Sequence, residues 1–294
     1  MSGVRARATQ SALNGVVVLG MGRSGTSAVA AMFVAAGFFV AASADRMPPN
    51  EANPRGHFEN LRLYRVNDRV LEALGGDWLV APSEERQRNA SVWAIPTLRA
   101  ELERIRRDAA GCPLVVKDPR IGVMLPLWGP LLGESFLPVF VIRHPWEVAL
   151  SLRRRDAIGA DAALAGWEDH TRSILSYLQG REALVVHYER LVAEPQLAVQ
   201  TVRAATARLD GAVAAGIDPG RAAAAIDPAL HRNRTGAAEP GVEMTAAQLG
   251  LWRWLTMLPG GINELGAPPA EPASTPAPEP TGLAVVNDAG EGIS

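Results

Sequence analysis

Four consecutive apolar residues, Val16 to Leu19, run directly into Gly20-Met21-Gly22-Arg23-Ser24-Gly25-Thr26-Ser27, and an uncharged, Ala-rich stretch continues to Ala36. A β-branched run, a turn holding three glycines and a segment of helix formers read together as strand, loop and helix. Glycines let backbone N–H groups turn toward an anion, and the helix that follows adds its positive N-terminal end. The spacing is that of a phosphate-binding G-x-x-x-x-G-K-[ST] loop, except that Thr26 stands in the lysine position. In nucleoside triphosphatases that lysine reaches the β- and γ-phosphates, so its loss points to a nucleotide without a γ-phosphate. Arg23, inside the loop, supplies a replacement positive charge. Read without a ligand, the same residues make a tight strand-to-helix turn.

The rest of the chain alternates short apolar runs with longer amphipathic segments, the pattern of an α/β protein with a doubly wound, mainly parallel sheet of about five strands. The strand candidates are Val16 to Leu19, Phe38 to Val40, Leu114 to Lys117, Val139 to Ile142 and Leu184 to His187. Helices are expected over Thr26 to Ala36, Leu61 to Leu74, Ser91 to Ala110, Ile121 to Leu132, Pro145 to Arg155, Ala162 to Leu178, Gln196 to Leu209 and Thr245 to Leu258. Asn60 reads as an N-cap, and Gly75 and Gly76 as a stop. The Ala-rich stretch from Gly211 to Ala225 is ambiguous. Six prolines between Pro268 and Pro280 cannot assemble a core. The expected organisation is therefore a flexible N-terminus over 1–14, one domain over 15–265, and a Pro/Ala-rich disordered tail over 266–294.

Composition narrows the function classes. With 29 basic and 31 acidic side chains the net charge is -2, which argues against a nucleic-acid or anionic-membrane footprint over the whole surface but leaves room for a local basic pocket. Ser24 to Ala44 carries no charge, yet it is dominated by Ala, Gly and Ser and broken by Gly37, so no membrane span is expected. A single cysteine, Cys112, removes intramolecular disulfides and Cys-based metal clusters. The N-terminus lacks the apolar run of a signal peptide, and a reducing, cytoplasmic setting is the expectation. His57, His144, His170, His187 and His231 lack ligand spacing, so no metal is expected. Of the 29 basic residues 28 are arginine, and the exception is Lys117.

A second anion site is suggested further along. The run Val139 to Ile142 ends in Arg143, Pro145 opens a helix, and Ser151 follows eight positions after the arginine. A strand-end Arg and a helix Ser can converge on one phosphate. GMGRSGTS together with RHPWEVALS resembles the 5′-phosphosulfate loop and the 3′-phosphate motif of sulfotransferases that use 3′-phosphoadenosine 5′-phosphosulfate (PAPS). NPRGHFEN (Asn53 to Asn60), VVKDPR (Val115 to Arg120) and VVHYERLVAEP (Val185 to Pro195) look like segments that recur in this order in bacterial members, so the resemblance spans roughly residues 14 to 200.

That resemblance implies the P-loop-type sulfotransferase fold and a PAPS-dependent transferase. Gly22, Arg23, Ser24, Gly25, Thr26 and Ser27 would hold the 5′-phosphosulfate, and Arg143 and Ser151 the 3′-phosphate. Many members have Lys where this chain has Arg23, which keeps the charge and changes its geometry. Sulfuryl transfer to a hydroxyl, less readily an amine, calls for in-line approach, charge neutralisation and a proton acceptor. Glu59 and His57 are the candidates for that base, with Glu59 favoured; read alone, Glu59 is a helix N-terminal carboxylate and His57 a loop histidine. By the resemblance, Lys117 faces the acceptor and the sulfuryl group. Asp118 and Arg120 read as an ion pair locking the loop, Tyr188 as a nucleotide contact, and Arg153 to Arg155 as a solvated helix face. Arg232 and Arg234 sit where a late basic loop would lie, without a settled role. Asp45 to Gly56 and Asp77 to Asn89 are rich in Pro, Asn and charge, which suits a hydroxylated, polar small-molecule or glycan acceptor, such as a glycan or glycosylated metabolite. A P-loop small-molecule kinase or other nucleoside triphosphatase is the alternative, disfavoured by Thr26 in the lysine position; a silent nucleotide-binding protein is the third reading.

Overall fold

Strand β1 (Gly15–Leu19) is buried along its whole length and has a parallel partner on each side, which is why its sequence is an unbroken apolar run rather than an alternating one. The computed structural model describes residues 13–50, 53, 55–133, 135–230 and 243–269. Through these the chain continues as α1 (Thr26–Ala36), α2 (Leu61–Ala73), α3 (Glu84–Ala109), β2 (Leu114–Lys117), α4 (Leu125–Leu132), β3 (Phe136–Ile142), α5 (Pro145–Asp156), α6 (Ala160–Leu178) and β4 (Glu182–His187). It ends in α7 (Tyr188–Ala193), α8 (Gln196–Thr206), α9 (Gly211–Ala214), α10 (Ala246–Met257) and β5 (Gly261–Glu264).

The sheet order is β2-β1-β3-β4-β5. The first four strands are parallel, and β5 runs antiparallel to β4. Side chains alternate across the pleat. Val17 and Leu19 join one core with α2, α3, α4 and α6, whereas Val16 and Val18 join another with α1 and α8. This is the doubly wound α/β arrangement that the sequence pattern calls for. Because β2 lies on one side of β1 and β3 on the other, a crevice opens beyond the carboxyl ends of β1 and β3, the place where open α/β sheets bind ligands.

Several elements differ from expectation. Phe38 to Val40 is not a strand: Phe39 makes one parallel bridge to Leu114, its N–H donating to the Pro113 carbonyl at 2.8 Å. Those residues are spent leaving the left-handed cap at Gly37 and entering the 3-10 turn Ser43–Asp45. The fifth strand is instead β5, half-exposed and with one large apolar side chain, which gives little signal in one dimension. Helix α3 starts seven residues before the expected Ser91, because Ser83 caps it by accepting the Arg86 N–H at 3.3 Å. Ile121 to Leu132 is split into the 3-10 turn Pro119–Val123 and α4, with Pro126 in the first turn of α4 where a missing N–H costs nothing. The Ala-rich 211–225 segment forms α9 and two 3-10 turns. No helix among the described residues is long and apolar enough to cross a membrane. The expected N-terminus through residue 12, the tail from residue 270, His231, Arg232 and Arg234 lie outside the described residues.

One buried histidine ties a loop to this frame. The Nε2 of His170, on α6, lies 2.9 Å from the Trp78 carbonyl. A carbonyl only accepts, so Nε2 carries the proton, and Nδ1 is buried without a partner against Gly122. A second proton on Nδ1 would have no acceptor, and burial lowers the His170 pKa from 6.5 to about 4. Between those values the unfolded chain binds more protons than the folded one, so stability is complete above pH 6.5 and falls as the pH drops toward 4. At about 1.4 kcal/mol per pH unit, His170 accounts for a loss of roughly 3 kcal/mol. Urea unfolding from pH 7 to 4 should show that loss, and His170→Gln, which keeps a donor for the Trp78 carbonyl, should remove this share of the slope.

Candidate functional site

The loop between β1 and α1 is shaped by two left-handed residues, Arg23 at φ 73° and Gly25 at φ 91°. For a residue with a side chain, that conformation is held only where the surroundings insist on it. At Gly25 the demand is also steric: a Cβ would fall 2.1 Å from the Tyr188 ring, which packs on the loop from the start of α7. Gly25 is the N-cap of α1 and offers no side-chain acceptor, so the first-turn N–H groups, those of Thr26 and Ser27 among them, lack the cap that Asn60 gives α2. Uncapped N–H groups and the helix dipole favour an anion at this point.

Arg23 joins the two sequence motifs. Its Nε donates to Ser151 Oγ at 2.9 Å and its Nη1 to Asn53 Oδ1 at 3.3 Å, while its carbonyl accepts from Arg143 Nη1 at 2.8 Å. The glycine loop and the Arg143/Ser151 pair, separate in sequence, therefore form one continuous surface. Arg143 is held from behind by two bonds to Glu147 Oε2, at 3.0 and 2.9 Å, and its guanidinium stacks 4.7 Å from the Tyr188 ring centroid. Glu147, buried one turn along α5, carries no motif signal; only its i,i+4 spacing from Arg143 hints at the pair.

Lys117 ends β2 at the sheet edge and is 3% exposed. Its ammonium donates to Glu59 Oε1, to Ser27 Oγ at 3.1 Å and to the His57 carbonyl at 3.3 Å. Expected catalytic and donor-loop residues thus meet at one nitrogen. Phe58, between His57 and Glu59, has φ 54°, an unusual conformation for so bulky a residue. Next to Lys117, Asp118 accepts from the Arg120 N–H and guanidinium and from Asn67 Nδ2 at 2.9 Å, the expected loop lock. Full burial, reinforced by Glu59, pushes the Asp118 carboxyl above its ordinary range.

Arg23, His57, Glu59, Lys117, Arg143 and Ser151 line a cleft of about 490 Å³, within the range of small-molecule sites. Six cationic side chains reach it, Arg23, Arg55, Lys117, Arg143, Arg154 and Arg155, against two carboxylates, Glu59 and Asp227. In a chain of net charge -2 this is a focused positive site. Burial and the neighbouring Arg155 and Arg143 lower the Arg23 pKa to about 10, which leaves it charged at neutral pH. Of the two segments expected at the acceptor side, Asn53, Arg55 and Gly56 line the cleft, whereas Trp78 backs Gly22 and lies under the Arg155 guanidinium, and Glu84 to Asn89 are the start of α3. Among the described residues, no three His, Cys, Asp or Glu side chains group as a metal site. Sequence reasoning did not single out Asn53, although an amide four residues before His57, able to donate and accept at once, is the signal it offers.

The sequence matches no protein-family model and no curated protein. The structure is similar to the sulfotransferase domain from the Synechococcus PCC 7002 olefin synthase, with a TM-score of 0.51, 20% identity, and coverage of 86% of this chain and 98% of that one. It is also similar to the sulfotransferase domain from the curacin biosynthetic pathway, with a TM-score of 0.51, 18% identity, and coverage of 84% and 99%. The chain has the sulfotransferase fold.

Gly25→Ala should cost about 2 kcal/mol or more in denaturant unfolding, because it meets both the left-handed backbone and the Tyr188 ring. Gly22→Ala places its Cβ in ordinary contact, 3.6 Å from Trp78, and should cost less than about 1 kcal/mol.

Proposed function

We propose that the protein transfers a sulfuryl group from PAPS to a hydroxyl group, less readily an amine, of a polar acceptor such as a glycan or glycosylated metabolite. The observation that carries this reading is the convergence on Arg23 of an uncapped helix start and the Arg143/Ser151 pair, on a fold similar to sulfotransferase domains. A nucleotide phosphorylated at two places matches two adjoining anion sites, and the absence of the γ-phosphate lysine, replaced by Thr26, matches a donor without a γ-phosphate.

The residues present fit this donor. The loop from Gly22 to Ser27 would hold the 5′-phosphosulfate, through its N–H groups other than that of Ser24, which donates to the Met21 carbonyl at 3.1 Å, and Arg143 with Ser151 would take the 3′-phosphate. Bound there, PAPS supplies the sulfuryl group, whose bond to the 5′-phosphate oxygen breaks as the bond to the acceptor oxygen forms. Lys117 and Arg23 place positive charge where negative charge develops. Glu59 uses Oε1 for Lys117, and Oε2 is the site that receives the acceptor's proton. Arg55 and Asp227 line the cleft where a hydroxylated acceptor would enter.

Calorimetric titration should show binding of 3′,5′-adenosine bisphosphate without magnesium and none of ATP; tight, magnesium-dependent ATP binding would sink the proposal in favour of a kinase. Screening sugars, lipids and phenols with PAPS by mass spectrometry should yield a product heavier by one sulfuryl group. With that acceptor, Glu59→Gln should lower kcat by about 100-fold or more while nucleotide binding persists, and full activity in the variant rules Glu59 out as base. Lys117→Arg should lower kcat roughly tenfold or more, because a planar guanidinium cannot occupy the compact corner between Ser27, His57 and Glu59.

A further inference from the structure

We infer that Asn53 holds His57 in its Nε2–H tautomer, so that His57 serves the cleft as a neutral hydrogen-bond donor to an anionic oxygen and the acceptor's proton goes to Glu59. The last clause rests on the transfer reading above; the tautomer does not. The chain of bonds is directional. Arg23 has only donors to offer, and its Nη1 lies 3.3 Å from Asn53 Oδ1, so the amide oxygen must face the guanidinium. The amide nitrogen then faces the other way, 3.0 Å from His57 Nδ1. An NH₂ group donates, so Nδ1 must present its lone pair, and a neutral imidazole with a lone pair on Nδ1 carries its proton on Nε2. Turning the amide over would set its NH₂ against the guanidinium, donor against donor, and lose the bond to Arg23.

The charged surroundings keep the ring neutral. Lys117 lies against the His57 carbonyl, and Arg23 and Arg155 are close enough to repel a proton. Glu59, the carboxylate two residues on, spends Oε1 on Lys117. Burial and these three cations bring the His57 pKa from 6.5 down to about 4. A base needs a free lone pair at the reacting atom. His57 has given its lone pair to Asn53, and what remains is an N–H on a ring that lines the cleft. Sulfuryl and phosphate oxygens are the chemical class such a donor serves. Asn53 is in this account a positioning residue, acting through the imidazole.

The test reads the tautomer directly. In the unliganded protein labelled with ¹⁵N-histidine, two-bond ¹H–¹⁵N spectra distinguish the tautomers, and the His57 signals are those lost in His57→Gln. The Nε2–H pattern should persist from pH 8 to about 5. In Asn53→Asp a carboxylate can only accept, so the proton should move to Nδ1 and the His57 pKa should rise above 6.5. A wild-type Nδ1–H pattern, or unchanged His57 signals in Asn53→Asp, overturns the inference. Turnover gives a second readout. His57→Gln, which restores an N–H donor, should keep kcat within about tenfold of wild type while His57→Ala loses about 100-fold or more. Equal losses would make His57 the base and overturn the assignment. An Nε2–H pattern in a protein that fails to bind 3′,5′-adenosine bisphosphate retains the tautomer and removes only the transfer reading.

Discussion

The buried pair of Lys117 and Glu59 is the interaction on which the site depends. Neither charge reaches water to a useful extent, at 3% and 5% exposure, so each needs the other, and removing one partner of such a pair costs about 3–5 kcal/mol. The pair joins three pieces of chain that are distant in sequence: the end of β2, the loop entering α2, and the first turn of α1 through Ser27. Sheet edge, glycine loop and proposed base are therefore positioned by a single ammonium. In a chain with 28 arginines, the one lysine stands where three acceptors crowd within reach of one nitrogen.

Around this pair the protein concentrates positive charge that its composition as a whole lacks. Arg23 adopts a left-handed backbone, at a cost of the order of 1–3 kcal/mol, and in return its side chain spans Ser151 and Asn53 while its carbonyl anchors Arg143. Glu147 and Tyr188 hold Arg143 from the far side. The cleft is thus a network of donors set in place by buried partners before any ligand arrives, the arrangement that lets a site stabilise developing charge without reorganising. The asymmetry of arginine, which donates and never accepts, passes through the Asn53 amide and dictates the state of His57.

Much of the frame was legible in one dimension. The apolar run at β1, the glycines of the loop, the start and end of α1, and the strand β2 follow from local chemistry that tertiary contacts reinforce. Asn60 caps α2 as its residue type predicts. Elsewhere local chemistry misled. Phe38 to Val40 has the composition of a strand but only the length to reach one bridge, because Gly37 and the turn at Ser43 take the chain away on either side. Gly261–Glu264 has little strand character and becomes β5 because the edge of β4 presents unpaired backbone groups to it. Asn53 and Glu147 carried only faint signals, their spacings of four from His57 and Arg143, since an asparagine in a polar loop and a glutamate in a helix acquire a role only through partners such as Arg23 and Arg143.

Local chemistry was enough to mark a doubly wound α/β protein with a glycine-rich strand-to-helix loop, since glycine spacing, an apolar strand and a helix start act over fewer than twenty residues and need no distant partner. Long-range packing was needed to bring the glycine loop and the Arg143/Ser151 pair together on Arg23, to pair Lys117 with Glu59, and to turn the Asn53 amide so that its NH₂ faces the His57 lone pair. Those outcomes depend on distances between segments 30 to 128 residues apart, and hydrogen-bond direction acts only after the fold has brought donor and acceptor within about 3 Å.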